Sequence, residues 1–135
     1  MKYKNLFNKY PEIISAYLFG SRARGDHSLM SDYDFAVQLK DNVSEADATD
    51  IQGRLSLDLS HELRGKPVDV VILNYAPILL KYQCLSRGKL IYSSDNKKRA
   101  KLAYEILQKY LDWSHFEKAF SRSLIKKVSR QGLNV

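Results

Sequence analysis

The sequence has little cysteine, proline or glycine: one, three and six residues respectively among 135. The single cysteine, Cys84, excludes an internal disulfide and any metal site built from several cysteines. Its apolar helical surroundings predict a buried, inert thiol. No apolar run approaches the roughly 20 residues of a membrane-spanning helix, and the N-terminal residues lack the apolar core of a secretory signal. These absences predict a soluble, cytoplasmic protein without a membrane partner.

Length and apolar content predict a single domain. A chain of 135 residues with 44% apolar residues can bury one core, and no repeat, linker or low-complexity segment divides it. We expect residues 1–95 to form the core and residues 96–135 to form a helical extension of the same domain. Because the chain has no room for a separate substrate-binding domain, we expect any large substrate to contribute much of its own positioning.

The charge favours an anionic partner. The net charge of +7 and the pI near 9.5 suit a nucleotide, a nucleic acid or an acidic protein surface. The positive residues concentrate late in the chain, around Lys97 to Lys101 and between Arg122 and Arg130. A solvated helix face would have the same pattern, so charge alone leaves the partner open.

Short segments rich in β-branched and aromatic residues alternate with helical patterns. Ser44, with Asp47 three residues later, is a plausible N-cap, and Gly65 and Gly88 are plausible helix ends. The alternation predicts an α/β domain with a helical C-terminal extension. In chain order we predict a helix at 2–9, strands at 13–19 and 33–39, a helix at 44–65, a strand at 68–73, a helix at 76–87, an edge strand at 89–93 and a helix from 95 to about 128.

Two aspartates separated by one residue, Asp32 and Asp34, stand at the start of the second predicted strand. Alternate residues of a strand share a face, so both carboxylates are expected to project side by side. Adjacent carboxylates repel each other, and a cation between them relieves the repulsion. Mg²⁺ prefers oxygen ligands and accepts water and phosphate oxygens in its shell. The pair therefore predicts a magnesium site that binds a nucleoside triphosphate, although a strand end that faces solvent is the simpler alternative.

Asp69 is an isolated charge in the apolar stretch "KPVDVVIL". Such a charge is rarely tolerated without a partner, and a third carboxylate is the usual requirement for two metal ions ~3.5–4 Å apart. Asp69 is either a salt-bridged aspartate of the core or the third acid of this metal site.

The first predicted strand ends at the pair Gly20 and Ser21. Glycine lets the backbone approach a ligand closely, and the N–H groups that follow open a turn suited to phosphate. The Ser21 hydroxyl can donate to a phosphate oxygen, and Arg22 and Arg24 add positive charge at the same turn. These four residues are the predicted nucleotide-binding residues.

The stretch "FGSRARGDHSLMSDYDF" (residues 19–35), followed by Asp69 on a later strand, resembles the signature of the nucleotidyltransferase superfamily that includes DNA polymerase β. In particular it is similar to the minimal nucleotidyltransferases (MNT), the MntA-type antitoxins of HEPN/MNT toxin–antitoxin systems. The later segment "DNKKRAKLAYEILQKYLDW" resembles their C-terminal region. The resemblance covers most of the chain. It implies an α/β (α+β) nucleotidyltransferase fold: a small mixed β-sheet with flanking helices and a long C-terminal helical extension.

The resemblance also implies residue roles. Gly20 and Ser21 would hold phosphate, and Asp32 and Asp34 would each bind both of two Mg²⁺ ions. Asp69 would bind only the catalytic metal ion and act as base toward the acceptor hydroxyl. The implied reaction is transfer of AMP from ATP to that hydroxyl, with pyrophosphate as the leaving group.

Three functions follow as hypotheses. In the first, implied by the resemblance, the acceptor is a tyrosine of a partner HEPN toxin, a ribonuclease, and the chain is an antitoxin that acts by AMP transfer. In the second, it neutralises the toxin by binding alone. In the third, it modifies a small molecule or an RNA end. The basic C-terminal region keeps nucleic acid open as a partner, although less favoured.

The last predicted helix has an apolar stripe. Trp113 and Phe116 are expected on its outer face, which makes the helix a candidate docking surface; packing of the helix on its own domain is the alternative. The stripe comprises Ala103, Ile106, Tyr110, Trp113, Phe116, Phe120, Leu124 and Val128.

Overall fold

A four-stranded β-sheet organises the chain in the computed structural model, which describes residues 3–20 and 33–130. All of the predicted elements are present, and β1, β2 and β4 have the predicted bounds. The elements are, in chain order, α1 (Lys4–Asn8), β1 (Ile13–Phe19), β2 (Tyr33–Leu39), α2 (Glu45–Glu62), β3 (Val68–Ile72), a 3-10 turn (Leu73–Tyr75), α3 (Ile78–Arg87), β4 (Lys89–Ser93) and α4 (Asn96–Arg130).

The strand order in the sheet is β3-β2-β1-β4. Strand β1 is antiparallel to both β2 and β4, whereas β2 and β3 are parallel. The sheet is therefore mixed, as expected, and β4 lies at one edge as predicted. The other edge is β3, the strand that carries Asp69.

The larger core covers one face of the sheet. Alternate residues of β2 point into it, and Phe35, Val37 and Leu39 are completely buried. Helix α2 contributes Leu55 and Leu59, also completely buried, at the four-residue spacing that places side chains on one helix face. The predicted cap of this helix is confirmed, because the Ser44 hydroxyl accepts a hydrogen bond of 3.1 Å from the Asp47 N–H.

A smaller cluster covers the opposite face. Tyr17 of β1 and Ala36 of β2 pack there with Leu73 and Cys84. Because side chains alternate along a strand, Asp34 shares this face with Ala36. Helix α3, which carries Cys84, is thus the layer that lies under Asp34.

Several predicted boundaries differ by one to three residues, most of all the end of α2, which lies at Glu62 rather than residue 65. Strand β3 ends at Ile72 because Leu73 begins the 3-10 turn. Helix α3 begins at Ile78 rather than residue 76, because Pro77 follows Ala76 and favours an extended conformation before it (φ −79°, ψ 152°).

Helix α4 packs on the domain only through its first half. Ile106 is buried, and the ring of Tyr110 stacks on that of Tyr82 in α3, with 3.7 Å between ring centroids. Beyond Ser114 every described residue of the helix is exposed. Among residues 3–20 and 33–130, no helix combines the length and the apolar character needed to cross a membrane.

Candidate active site

Two of the predicted acids occupy adjacent positions on neighbouring strands. The parallel register of β2 and β3 pairs Asp34 directly with Asp69. Paired residues of adjacent strands lie on one face of the sheet, with strands about 4.8 Å apart. The two carboxylates therefore belong to one face, at the end of the sheet where β2 and β3 begin. Asp34 is partly buried and Asp69 is exposed.

Gly20 lies directly against Asp34. The last residue of β1, Phe19, pairs with Asp34, and the chain turns at Gly20 with a left-handed φ of +78°. A methyl group on Gly20 would overlap the carboxylate oxygen Oδ2 of Asp34 and come within 3.3 Å of its Cγ. Glycine is thus needed here for two reasons, the backbone conformation and the space that the carboxylate occupies.

The carboxylate of Asp34 also affects the pKa of the Cys84 thiol on helix α3. Burial raises the pKa of Cys84 to about 11 from an ordinary 9.0, and the negative charge of Asp34 adds to the rise. The negative charge of Asp34 is therefore close enough to α3 to affect the Cys84 thiol.

We predict that Cys84 resists alkylation in the folded protein. At pH 8 a thiol with a pKa near 11 is about a hundredfold less ionised than one with a pKa near 9, and the side chain is also completely buried. Iodoacetamide labelling followed by mass spectrometry should give a native rate at least about a hundredfold below the rate in denaturant. Native labelling as fast as in denaturant would contradict the packing of α3 on the sheet.

The same pKa shift has a consequence for stability. The folded state binds the Cys84 proton more tightly than the unfolded chain does. The contribution of this group to the stability of the fold is therefore fully present below pH 9. Its contribution is lost as the pH rises from 9 towards 11.

A cavity of about 300 Å³ borders Asp69 at the free edge of β3. Its walls include Thr49 and Gln52 of α2 and Tyr75 of the 3-10 turn. The Gln52 side-chain amide donates to the Val70 carbonyl oxygen (2.5 Å) and so occupies part of this edge. The sequence contains no signal for these residues, because polar positions on an amphipathic helix are usually solvated.

Three of the predicted site residues, Gly20, Asp34 and Asp69, come together at one end of the sheet. The others, Ser21, Arg22, Arg24 and Asp32, lie outside the described residues. Within residues 3–20 and 33–130, no group of three or more His, Cys, Asp or Glu residues could hold a metal ion.

The donor set nevertheless suits magnesium. Two carboxylates on one face are hard oxygen ligands of the kind that Mg²⁺ prefers. Because Gly20 has no side chain, the oxygen Oδ2 of Asp34 occupies space that a Cβ at position 20 would fill. Asp34 and Asp69 therefore fit the metal that the sequence predicts.

Comparison with solved structures gives relatives of the same fold. A chain of a toxin–antitoxin complex with AMP-PNP is 24% identical, covers 89% of this chain and 92% of its own length, and has a TM-score of 0.71. A chain from the complex of a tri-AMPylated Shewanella oneidensis HEPN toxin with an MNT antitoxin is 22% identical, covers 88% of both chains and has a TM-score of 0.64. Comparison with curated proteins gives no match.

The family comparison is decisive. A family model described as "Polymerase beta, Nucleotidyltransferase" matches residues 1–97, which include the signature stretch, Asp34 and Asp69. The resemblance seen in residues 19–35 is thereby confirmed. By its sequence and its fold, this chain belongs to the polymerase β nucleotidyltransferase family.

Proposed function

We propose that this chain transfers AMP from ATP to a tyrosine hydroxyl of a HEPN-domain partner and acts in this way as a cytoplasmic antitoxin. Membership of a nucleotidyltransferase family supports the reaction class. The related complexes, one with AMP-PNP and one with a tri-AMPylated HEPN toxin, support the nucleotide and the partner. The observation that carries the proposal is the pairing of Asp34 with Asp69 beside Gly20.

The proposed roles of the two described acids follow from their surroundings. Asp34 is partly buried against Gly20 and above Cys84, so its carboxylate is held in a defined position. Asp69 is exposed on an edge strand, and among residues 3–20 and 33–130 no further strand blocks the approach of a large acceptor. Asp34 is therefore suited to hold the nucleotide and its metal, and Asp69 to meet the acceptor hydroxyl.

In the proposed reaction, Asp32, Asp34 and Asp69 would hold two magnesium ions, and Gly20 and Ser21 would bind the phosphates. Magnesium, when bound, neutralises the triphosphate and makes the acceptor hydroxyl more acidic. Asp69 accepts the proton of that hydroxyl. The acceptor oxygen forms a bond to the α-phosphorus, and the bond between this phosphorus and the bridging oxygen breaks.

The electron pair of the broken bond leaves with pyrophosphate. Arg22 and Arg24, close to the phosphate turn in sequence, are proposed to offset the negative charge of the triphosphate and of this leaving group.

We also propose that residues 1–95 are the catalytic core and residues 96–135 an extension of the same domain. The family match ends at residue 97 and α4 begins at Asn96. The stacking of Tyr110 on Tyr82 joins the extension to the core.

We expect the full chain to add AMP to its partner when ATP and magnesium are present. The test asks first whether an adjacent gene encodes a HEPN-family protein, then incubates this chain with that protein and measures the intact mass of both. The partner should gain mass in AMP units, should retain label from α-³²P-ATP but not from γ-³²P-ATP, and should gain nothing in EDTA.

Two results would overturn the enzymatic proposal. Neutralisation of the toxin without a change in mass would identify an antitoxin that acts by binding. Label on the 3′ end of RNA, with salt-sensitive RNA binding, would identify an RNA-modifying enzyme.

A further inference from the structure

The apolar stripe of α4 continues far beyond the domain that its first half covers. Ile106 is 2% exposed and Trp113 is 36% exposed, whereas Phe116 and Phe120 are 68% and 58% exposed. These residues recur at three- and four-residue spacing and so lie on one side of the helix. The stripe that packs on α3 is therefore the same stripe that is uncovered further along.

We call residues 114–130 the projecting segment. It extends for about 25 Å, and Phe116 and Phe120 stack on each other within it, 6.1 Å between ring centroids. Leu124 and Val128 continue the stripe, 50% and 36% exposed. Large contiguous apolar surfaces of this kind mark interaction sites in folded proteins, and anchors at helical spacing are typical of a helix that lies in a groove.

The direction of α4 carries this segment towards the end of the sheet that holds the candidate site. Both α3 and α4 begin at the end of the sheet opposite Gly20: α3 follows the 3-10 turn after β3, and the Ser94 N–H before α4 donates to the Ile14 carbonyl oxygen (2.8 Å). Helix α3 ends close to Leu18, at the Gly20 end.

From the Tyr82–Tyr110 stack, α3 continues for only about 8 Å but α4 for about 30 Å. The projecting segment thus leaves the domain in the direction of the end that carries Asp34 and Asp69.

The charge of the projecting segment indicates which kind of molecule can cover its apolar stripe. The projecting segment contains five Lys or Arg residues and one Glu. Two copies of the segment packed together would place these basic rims against each other, and like charges at an interface are unfavourable. An apolar groove with an acidic rim would match both the stripe and its flanks.

We propose that the projecting segment is the docking surface for the acceptor protein, and that this partner offers an apolar groove between helices, rimmed by Asp and Glu. The inference rests on the proposed function, because a protein acceptor must be held where its hydroxyl reaches Asp69. The stripe supplies affinity, and the direction of α4 brings the acceptor to the catalytic end of the sheet.

The test variant is Phe120→Glu with Leu124→Glu in the full chain. Its matched control, His115→Glu with Ala119→Glu, introduces two glutamates in the same region of α4 but away from the stripe. Binding of the HEPN-family protein is measured by calorimetry without ATP, so the result does not depend on catalysis. We expect the stripe variant to bind at least about a hundredfold more weakly and the control within about threefold of the parent chain.

Helix content and ATP affinity should be unchanged in both variants, which separates lost docking from lost folding. In a transfer assay the stripe variant should show a raised KM for the partner. Partner binding equal to that of the parent chain would overturn the docking proposal while leaving AMP transfer intact. Weakened binding by the stripe variant, with no AMP transfer by the parent chain, would support the surface and overturn the enzymatic function.

A dimer of the isolated chain in sedimentation, converted to a monomer by Phe120→Glu with Leu124→Glu, would assign the stripe to a second copy instead. It would therefore overturn the proposal.

Discussion

Replacement of Asp34 by asparagine is expected to lower AMP transfer at least about a thousandfold. The amide keeps the shape of the side chain but loses the negative charge that would hold magnesium and the nucleotide. Asp69→Asn should have a comparable effect, because it loses both a metal ligand and the proposed proton acceptor. Initial rates with labelled ATP and the HEPN-family protein would measure both losses.

The stability of the Asp34→Asn variant should separate this effect from misfolding. Asp34 and Asp69 are like charges at paired strand positions, so replacing one of them removes a repulsion. In the absence of metal, the free energy of unfolding of the variant should therefore equal that of the parent chain or exceed it by about 1 kcal/mol. Magnesium with ATP should then stabilise the parent chain by about 1–3 kcal/mol but leave the variant unchanged.

Asp41→Asn removes the same charge in the turn that follows the opposite end of β2 and serves as the control, with full activity expected. Normal transfer by Asp34→Asn would show that the active site lies elsewhere.

Gly20→Ala is expected to lower transfer at least about a hundredfold while the domain stays folded. The new methyl group would overlap Oδ2 of Asp34, so either the carboxylate or the turn must move, and displacements of about 1 Å can cost this much in rate. The left-handed φ of +78° adds about 1–2 kcal/mol of backbone strain. Thermal unfolding and transfer rates measure the two consequences separately.

Gly65→Ala is the matched control for this prediction. Gly65 has a φ of +81°, almost the same as Gly20, but nothing lies within 4 Å of the position that its Cβ would occupy. Both alanine variants should therefore lose similar stability, and only Gly20→Ala should lose activity. Equal activity of the two variants would mean that Gly20 is required for the backbone conformation alone.

Local patterns in the sequence predicted much of the fold. The β-branched and aromatic residues of 13–19 and 33–39, bounded by glycine or charged residues, predicted β1 and β2 with their observed bounds. The helix bounds were less accurate, as at residue 76, because a helix end depends on a few backbone hydrogen bonds that compete with turns.

The candidate site was predictable in residue types but not in arrangement. The two-residue spacing of Asp34 from Asp32 and the isolation of Asp69 in an apolar strand mark both residues as unusual. Whether Asp69 faces the core or Asp34 depends on which strand lies beside β2 and in which register. That choice is made by long-range packing.

Helix α4 shows the same limit. Its apolar stripe was predicted from the three- and four-residue spacing of apolar side chains. That spacing is the same whether the stripe packs on its own domain or binds another protein. The packing of Tyr82 on Tyr110 and the exposure of residues 115–130 divide the stripe into a part that faces the domain and a part that does not.

The sequence by itself determined the family, the strands and the acidic residues, because signature spacing and side-chain alternation are local properties that neighbouring residues encode. Only the tertiary structure decided that Asp34 and Asp69 share one face, that Gly20 makes room for a carboxylate, and that half of α4 is uncovered. These are relations between segments distant in the chain, and they exist only once the strands are paired and the helices packed on them.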